Sequence, residues 1–371
     1  MNSRRIRTKL ALGTVLGLAV ASTALAAATG SGPSTTTDPH VLQVADGVKV
    51  TSLLTVETPT DPGAASNGYQ MVGIPDGLGA TDAPHGRDFT LFMNHELPLT
   101  PPGPGVARRH GANGAFVSEL KIGSQSLEVE EGQDHQFVVD LQNEAVSNDA
   151  QFRTTYGKNN PAPFDLGSDE EVNWDQTGAA QNTEAAAKGI TLNRVEDGAF
   201  DPRHPEDFYF VTTEGGKGAT AARDGGGLWR LSYEDVERPW EGGTLTLLLD
   251  GSEAPFLSKP DNLGFDPHGH LLIQEDPGGN PHLARIVAYE VRSGDRAVLA
   301  QFDPALFGPG APGFITQDEE SSGIIDASRF LGEGTFLFDA QVHKAHTDPD
   351  KAEQGQLLTL EVRHWKKVFD E

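Results

Sequence analysis

The chain contains no cysteine and only 3 methionines in 371 residues. The first absence excludes disulfides, thiolate metal sites and a lipidated cysteine anchor. Cations are scarce as well, with 28 Lys+Arg against 54 Asp+Glu. A surface this acidic repels phosphate backbones and anionic lipid, which argues against nucleic-acid and membrane-surface partners. Long helix-forming runs are missing, and the one patch of good helical propensity, at residues 182–188, is short. In their place stand 43 glycines and 24 prolines, a composition suited to many short strands joined by tight turns.

One apolar run stands out, at residues 10–21, behind Arg4, Arg5, Arg7 and Lys9 and ahead of Ala24-Leu25-Ala26. A basic stretch, an apolar stretch too short to span a bilayer and a small-residue site together read as a secretory signal over residues 1–26. Ser3-Arg4-Arg5 faintly suggests twin-arginine export, although Arg7 and Thr8 stand where that pattern wants apolar residues. Without those four cations the mature net charge is about −30. The mature protein is therefore expected in the periplasm or outside the cell, free of the membrane, as a monomer. Residues 27–40, rich in Ala, Thr, Ser and Gly, read as a disordered leader, and residues 41–371 as a single domain.

The organising feature is a repeat. Val195-Glu196-Asp197-Gly198-Ala199-Phe200-Asp201-Pro202 aligns without a gap on Pro260-Asp261-Asn262-Leu263-Gly264-Phe265-Asp266-Pro267, at an offset of 65 positions. An earlier copy begins at Pro75-Asp76-Gly77 and leads to Asn94-His95-Glu96; a looser one begins at Asp318-Glu319-Glu320. Each unit is an acid, a short strand, a turn and a second strand, and residues 115–141 have strands for one more unit without the acid. The expectation is an all-β chain folded as a β-propeller, nominally of six blades, or of five if one is incomplete.

In a propeller, a residue leading into the same strand of every blade lies on one ring around the axis. Asp76, Glu196, Asp261 and the Glu319/Glu320 pair are the candidates for that ring. Carboxylates converging there need a counter-ion, and a hard divalent cation such as calcium suits oxygen ligands. The bland alternative is that each acid caps its own turn. Glu96 and Glu275 both close strands in their units and join the ligand candidates.

Arg194-Val195-Glu196-Asp197-Gly198, Pro260-Asp261-Asn262, Gln274-Glu275-Asp276, Asn94-His95-Glu96 and Thr316-Gln317-Asp318-Glu319-Glu320-Ser321-Ser322-Gly323 together resemble the PhoX-type alkaline phosphatases. The resemblance implies an exported propeller that hydrolyses phosphate monoesters at an axial iron–calcium cluster. It implies Arg194 as phosphate clamp, Glu196 as metal ligand and Asp261 as a further ligand. The family's cysteine-bearing segment, which ligates iron, has no counterpart in this cysteine-free chain, so calcium is expected rather than iron. The alternatives are a lactonase-like, gluconolactonase-like hydrolase and a propeller that binds calcium without catalysis.

Overall fold

The computed structural model describes residues 30–83, 88–98, 113–135, 192–216 and 225–369, with isolated residues elsewhere between 108 and 190. The expected signal peptide and most of residues 136–191 lie outside the described residues. Within that stretch Thr183, Ala186 and Ala187, from the patch read as helical, are helical.

Two short strands, β1 (Val41–Gln43) and β2 (Val48–Thr55), precede the repeats. The first repeat forms β3 (Pro75–Asp82), β4 (Asp88–His95), β5 (Phe116–Gly123) and β6 (Val129–Asp134). A separate pair follows, β7 (Val138–Val139) with β8 (Ala145–Val146). The second repeat forms β9 (Val195–Asp201), β10 (His204–Thr212), β11 (Gly227–Tyr233) and β12 (Gly243–Leu249). The third forms β13 (Pro260–Phe265), β14 (His270–Glu275), β15 (Arg285–Glu290) and β16 (Arg296–Phe302). The fourth forms β17 (Glu319–Asp326), β18 (Thr335–Ala345) and β19 (Glu353–Val362), with β2 as its outer strand.

All four sheets are antiparallel meanders, and their first strands lie side by side in the order β9, β13, β17, β3. That is the arrangement of propeller blades, inner strands together and outer strands apart. The chain is all-β with propeller-like blades, as the repeat implies. Residues 115–141 do not found a further unit at their described positions; Phe116–Gly123 and Val129–Asp134 are the outer strands of the first blade.

Burial explains why the repeat strands read as continuous apolar runs rather than alternating ones. Within β14, Leu272 packs into the core shared with the fourth blade, while Leu271 and Ile273 pack into the core shared with the second. A strand covered on both faces needs apolar residues at every position. Leu337 and its neighbours Phe336 and Phe338 divide in the same way between two cores. Three apolar clusters thus cement the blades pairwise, and among the described residues none joins the first blade to the second.

The N-terminal segment closes two blades. Strand β1 adds a fifth strand to the third blade, and β2 pairs along β19 of the fourth. Residues 30–40, expected to belong to a disordered leader, are instead held down. Backbone N–H groups of Thr36 and Thr37 donate to Asp61 Oδ2 at 2.9 and 3.0 Å, and the Thr35 hydroxyl donates to the same oxygen. His40 N donates to Gln356 Oε1 at 2.8 Å. Burial alone would push the Asp61 carboxyl up, but the Thr35, Gly63, Thr37 and Thr36 donors hold it below the ordinary range.

Candidate active site

The ring begins with a repeated backbone kink. In each of the first three blades the residue before the inner strand is left-handed: Ile74 at φ 51°, Arg194 at 50° and Lys259 at 45°. This region is costly for any residue with a β-carbon, so recurrence at one position marks a built feature. The carbonyl of each accepts the N–H of the residue just after the second strand, from Glu96 at 3.0 Å, Thr213 at 2.9 Å and Asp276 at 2.9 Å.

Two residues on, each inner strand carries a β-bulge. Two residues oppose one on the neighbouring strand: Asp76-Gly77 in the first blade, Glu196-Asp197 in the second, Asp261-Asn262 in the third. A bulge bends its strand and re-aims the extra side chain, here toward the axis. Asp76, Glu196 and Asp261 therefore occupy equivalent positions, as the repeat predicts, and the electrostatics tie them together. Asp261 is pushed up to about 7, by burial first and then by Glu196, Asp276 and Asp76, while Arg194 pulls the other way. Glu96 is raised by burial, Asp76, Glu196 and Asp276, with His343 opposing. One acidic mouth thus gathers Asp76, Glu96, Glu196, Asp261, Asp276 and Glu320.

Two expectations need correction. In the fourth blade the bulge falls at Gly323-Ile324, between the pairs Ser322–Asp339 and Ile325–Leu337. The position equivalent to Asp76 is Gly323, so neither Glu319 nor Glu320 is the repeat's ring acid. Glu319 is buried at the third-blade contact, accepting from Ala284 N at 3.3 Å with Oε2 unpartnered, and burial pushes it up to about 8. Glu320 still reaches the mouth, where burial, Asp276 and Asp261 raise it well above the carboxylate range.

Glu275 is the second correction. It stands opposite Pro260, as His95 stands opposite Pro75, so the counterpart of Glu96 is Asp276. Glu275 is wholly buried and occupied: Arg285 Nη2 and Nε donate at 2.7 and 2.9 Å, His282 Nε2 lies at 2.9 Å, and Ser258 N donates at 2.8 Å. No lone pair is left over for a metal. Arg194 itself is left-handed, and the turn sets its Nη2 3.1 Å from Glu196 Oε1.

Asp276, His343 and Asp339 were not picked as site residues. Asp276 carried a sequence signal, since Glu275-Asp276 offers two acids and strand parity selects between them. His343 binds Glu353 Oε2 through Nδ1 at 2.8 Å; burial disfavours its charge, but Glu353, Asp318 and Asp276 hold its pKa above the ordinary value.

Beyond the bulges the channel widens into a cavity of about 710 Å³, lined by Asp76, Asp197, Asn262, Leu263, Phe265 and Ile324 among others. Leu263 N donates to Asp197 Oδ2 at 3.1 Å across the blade boundary, and Asn262 Oδ1 has no partner.

Residues 128–309 match the family model described as alkaline phosphatase PhoX. The resemblance read from the sequence is borne out over that range, which holds Arg194, Glu196 and Asp261; Asn94-His95-Glu96 and the Thr316–Gly323 motif lie outside it. No curated protein matches the sequence. Among solved structures, a gluconolactonase from Xanthomonas campestris is similar at 11% identity and a TM-score of 0.32, over 88% of this chain and 96% of that one. A likeness that weak decides nothing about function. Among the described residues no helix is long and apolar enough to cross a membrane.

Among the described residues no group of three or more His, Cys, Asp or Glu side chains is placed to hold a metal ion. The donor chemistry nevertheless fits a hard cation. The mouth offers carboxylate oxygens, and buried Glu319 Oε2, Asn262 Oδ1 and both Asp339 oxygens lack partners. A pH dependence follows. Carboxyls raised in the folded state bind protons there that the unfolded chain has already released, so stability falls as pH rises from about 4 toward their folded values. With Asp261 near 7 and Glu319 near 8, chelated protein is expected to melt lower at pH 8 than at pH 5.5. Calcium should remove most of that difference. Melting curves at both pH values, with chelator and with calcium, check it; a higher melting point at pH 8 in chelator contradicts the assignment.

Proposed function

We propose that this chain is an exported, calcium-dependent phosphoesterase-like protein of the PhoX type, acting on small phosphate monoesters at the acidic mouth. The observation that carries the reading is a guanidinium beside a ring carboxylate: Arg194 lies 3.1 Å from Glu196, which shares the mouth with Asp76 and Asp261. Arg194 is the residue to hold a phosphate oxygen, since its planar fork matches phosphate geometry. Glu196, Asp261 and Asp76 would hold the cation, with Glu96, Glu320 and Asp276 close by. A bound divalent ion supplies charge neutralisation at the phosphoryl oxygens and activation of a water. Buried walls lower the dielectric around these charges and sharpen their effect on the transition state. Export agrees with the basic–apolar–small pattern of residues 1–26. The absence of cysteine supports calcium without the iron that the family's cysteine binds.

The test uses mature protein stripped with chelator and then reloaded. Hydrolysis of p-nitrophenyl phosphate should return with calcium, and a simple lactone should not be opened. Lactone turnover without phosphatase activity would move the chain to the other hydrolase class. No turnover with calcium alone or with calcium plus iron would leave a binding protein.

A further inference from the structure

We propose that Asp339 supplies the ring carboxylate of the fourth blade, reaching the axial cation through the space left by Gly323. The inference deepens the cation reading above and rests on it. Its starting point is an irregularity in the repeat. Three blades place an acid at the first bulge position, and the fourth places Gly323 there. A ring of one oxygen donor per blade would be broken at that point.

The second-strand residue paired with the position just before the bulge differs in the complementary way. In the first blade it is His95, whose ring nitrogens lie 3.0 Å from Gly73 O and 2.9 Å from Ser118 Oγ. In the third it is Glu275, bound by Arg285 and His282 inside its blade. In the fourth it is Asp339, opposite Ser322. Asp339 is completely buried, and neither of its carboxyl oxygens has a hydrogen-bond partner. A buried carboxyl without a donor or cation is among the most costly groups a protein can hold, so it needs an explanation. The charged groups that bear on it, Asp76 and Glu96, are both acids of the mouth.

Gly323 provides the opening. Its φ is +63°, and a β-carbon there would lie 2.7 Å from Asp339 Oδ2 and 1.9 Å from the Asp76 carbonyl oxygen. Only glycine combines that left-handed backbone with so close an approach. The glycine thus brings a carboxylate oxygen from the second strand and a carbonyl oxygen from the neighbouring blade to one spot at the bulge. An all-oxygen set of this kind selects a hard divalent ion, calcium first. On this reading the fourth blade keeps its ring acid by moving it one strand outward.

The deciding measurement is calcium titration of chelated, full-length mature protein by calorimetry, comparing wild type with Asp339→Asn. The amide keeps the shape and removes the charge. Asp339→Asn should bind calcium at least about tenfold more weakly, because the charge count of the ligands tunes calcium affinity over several orders of magnitude, and should melt in chelator no lower than wild type. Equal calcium affinity in the two proteins would overturn the proposal and leave Asp339 a buried neutral acid. A wild type that binds no calcium overturns this inference and the cation reading together. Calcium binding without phosphomonoester turnover overturns only the proposed activity. Should the asparagine variant fail to fold, infrared spectra of wild type answer the same question. The band of buried protonated carboxyl must shrink when calcium saturates, and an unchanged band counts against Asp339.

Discussion

Arg194→Ala is expected to lower phosphomonoester turnover by about 10²- to 10³-fold, the scale for removing one preorganised charge contact to a developing oxyanion. The loss should fall on kcat, because the guanidinium matters most once charge builds on the phosphoryl oxygens. Arg194→Lys should recover only part of it, since an ammonium offers one point charge where the fork offers two parallel donors. The same substitution should tighten calcium binding. Arg194 pairs with Glu196 at 3.1 Å and lowers the proton affinity of Asp261. Without that cation, the acids of the mouth repel one another more strongly and gain more from a divalent ion. Opposite movement of turnover and calcium affinity separates a chemical role from general damage, which would lower both. Unchanged kcat in Arg194→Ala would mean that the arginine serves only as a partner for Glu196 and for Glu214, whose Oε1 lies 3.9 Å from Nη1.

The parts of this site that were legible in the sequence are those encoded locally. The match of residues 195–202 to residues 260–267 reflects two bulges of identical construction, and a bulge is written in a handful of consecutive residues. Strand identity was legible for the same reason, because burial on both faces leaves an unbroken apolar run such as Leu271-Leu272-Ile273. What failed depended on pairing register. Glu319-Glu320 looks like a ring motif, but only the partnering of Ser322 with Asp339 shows that the bulge comes later, at Gly323. Choosing between Glu275 and Asp276 turned on one residue of register, and one residue moves a side chain from the mouth to the blade interior. Residues 30–40 misled differently. Their composition is that of a flexible leader, yet Thr35, Thr36 and Thr37 are anchored by Asp61, far along the chain. Composition cannot report a partner that distant.

Glu275 gives the clearest separation of architecture from function, and it carries the second large effect. Arg285→Ala is expected to destabilise the protein by about 3–5 kcal/mol, the cost of leaving a buried charge without its partner. Both carboxyl oxygens of Glu275 are directed at Arg285, and the carboxylate itself has no solvent exposure. His282 cannot replace the lost cation unless it is protonated, because a neutral imidazole offers only a hydrogen bond. The effect should depend on pH with a definite sign. Burial alone would raise the Glu275 pKa, but Arg285 and His282 hold it below the ordinary value. The pair's contribution is therefore complete above the usual glutamate range and is lost as pH falls through the lower, folded value. Denaturant melts of wild type and Arg285→Ala should differ fully at pH 7 and converge in acid. Calcium affinity should be the same in both proteins, since this carboxylate faces the blade interior and not the mouth. A variant that kept its stability but lost calcium would restore Glu275 to the ligand set. Replacing the pair together, as Glu275→Leu with Arg285→Met, should recover much of the loss, because a buried ion pair can often be exchanged for apolar packing at little net cost. The propeller would then stand with its third blade held by apolar packing and its acidic mouth unchanged.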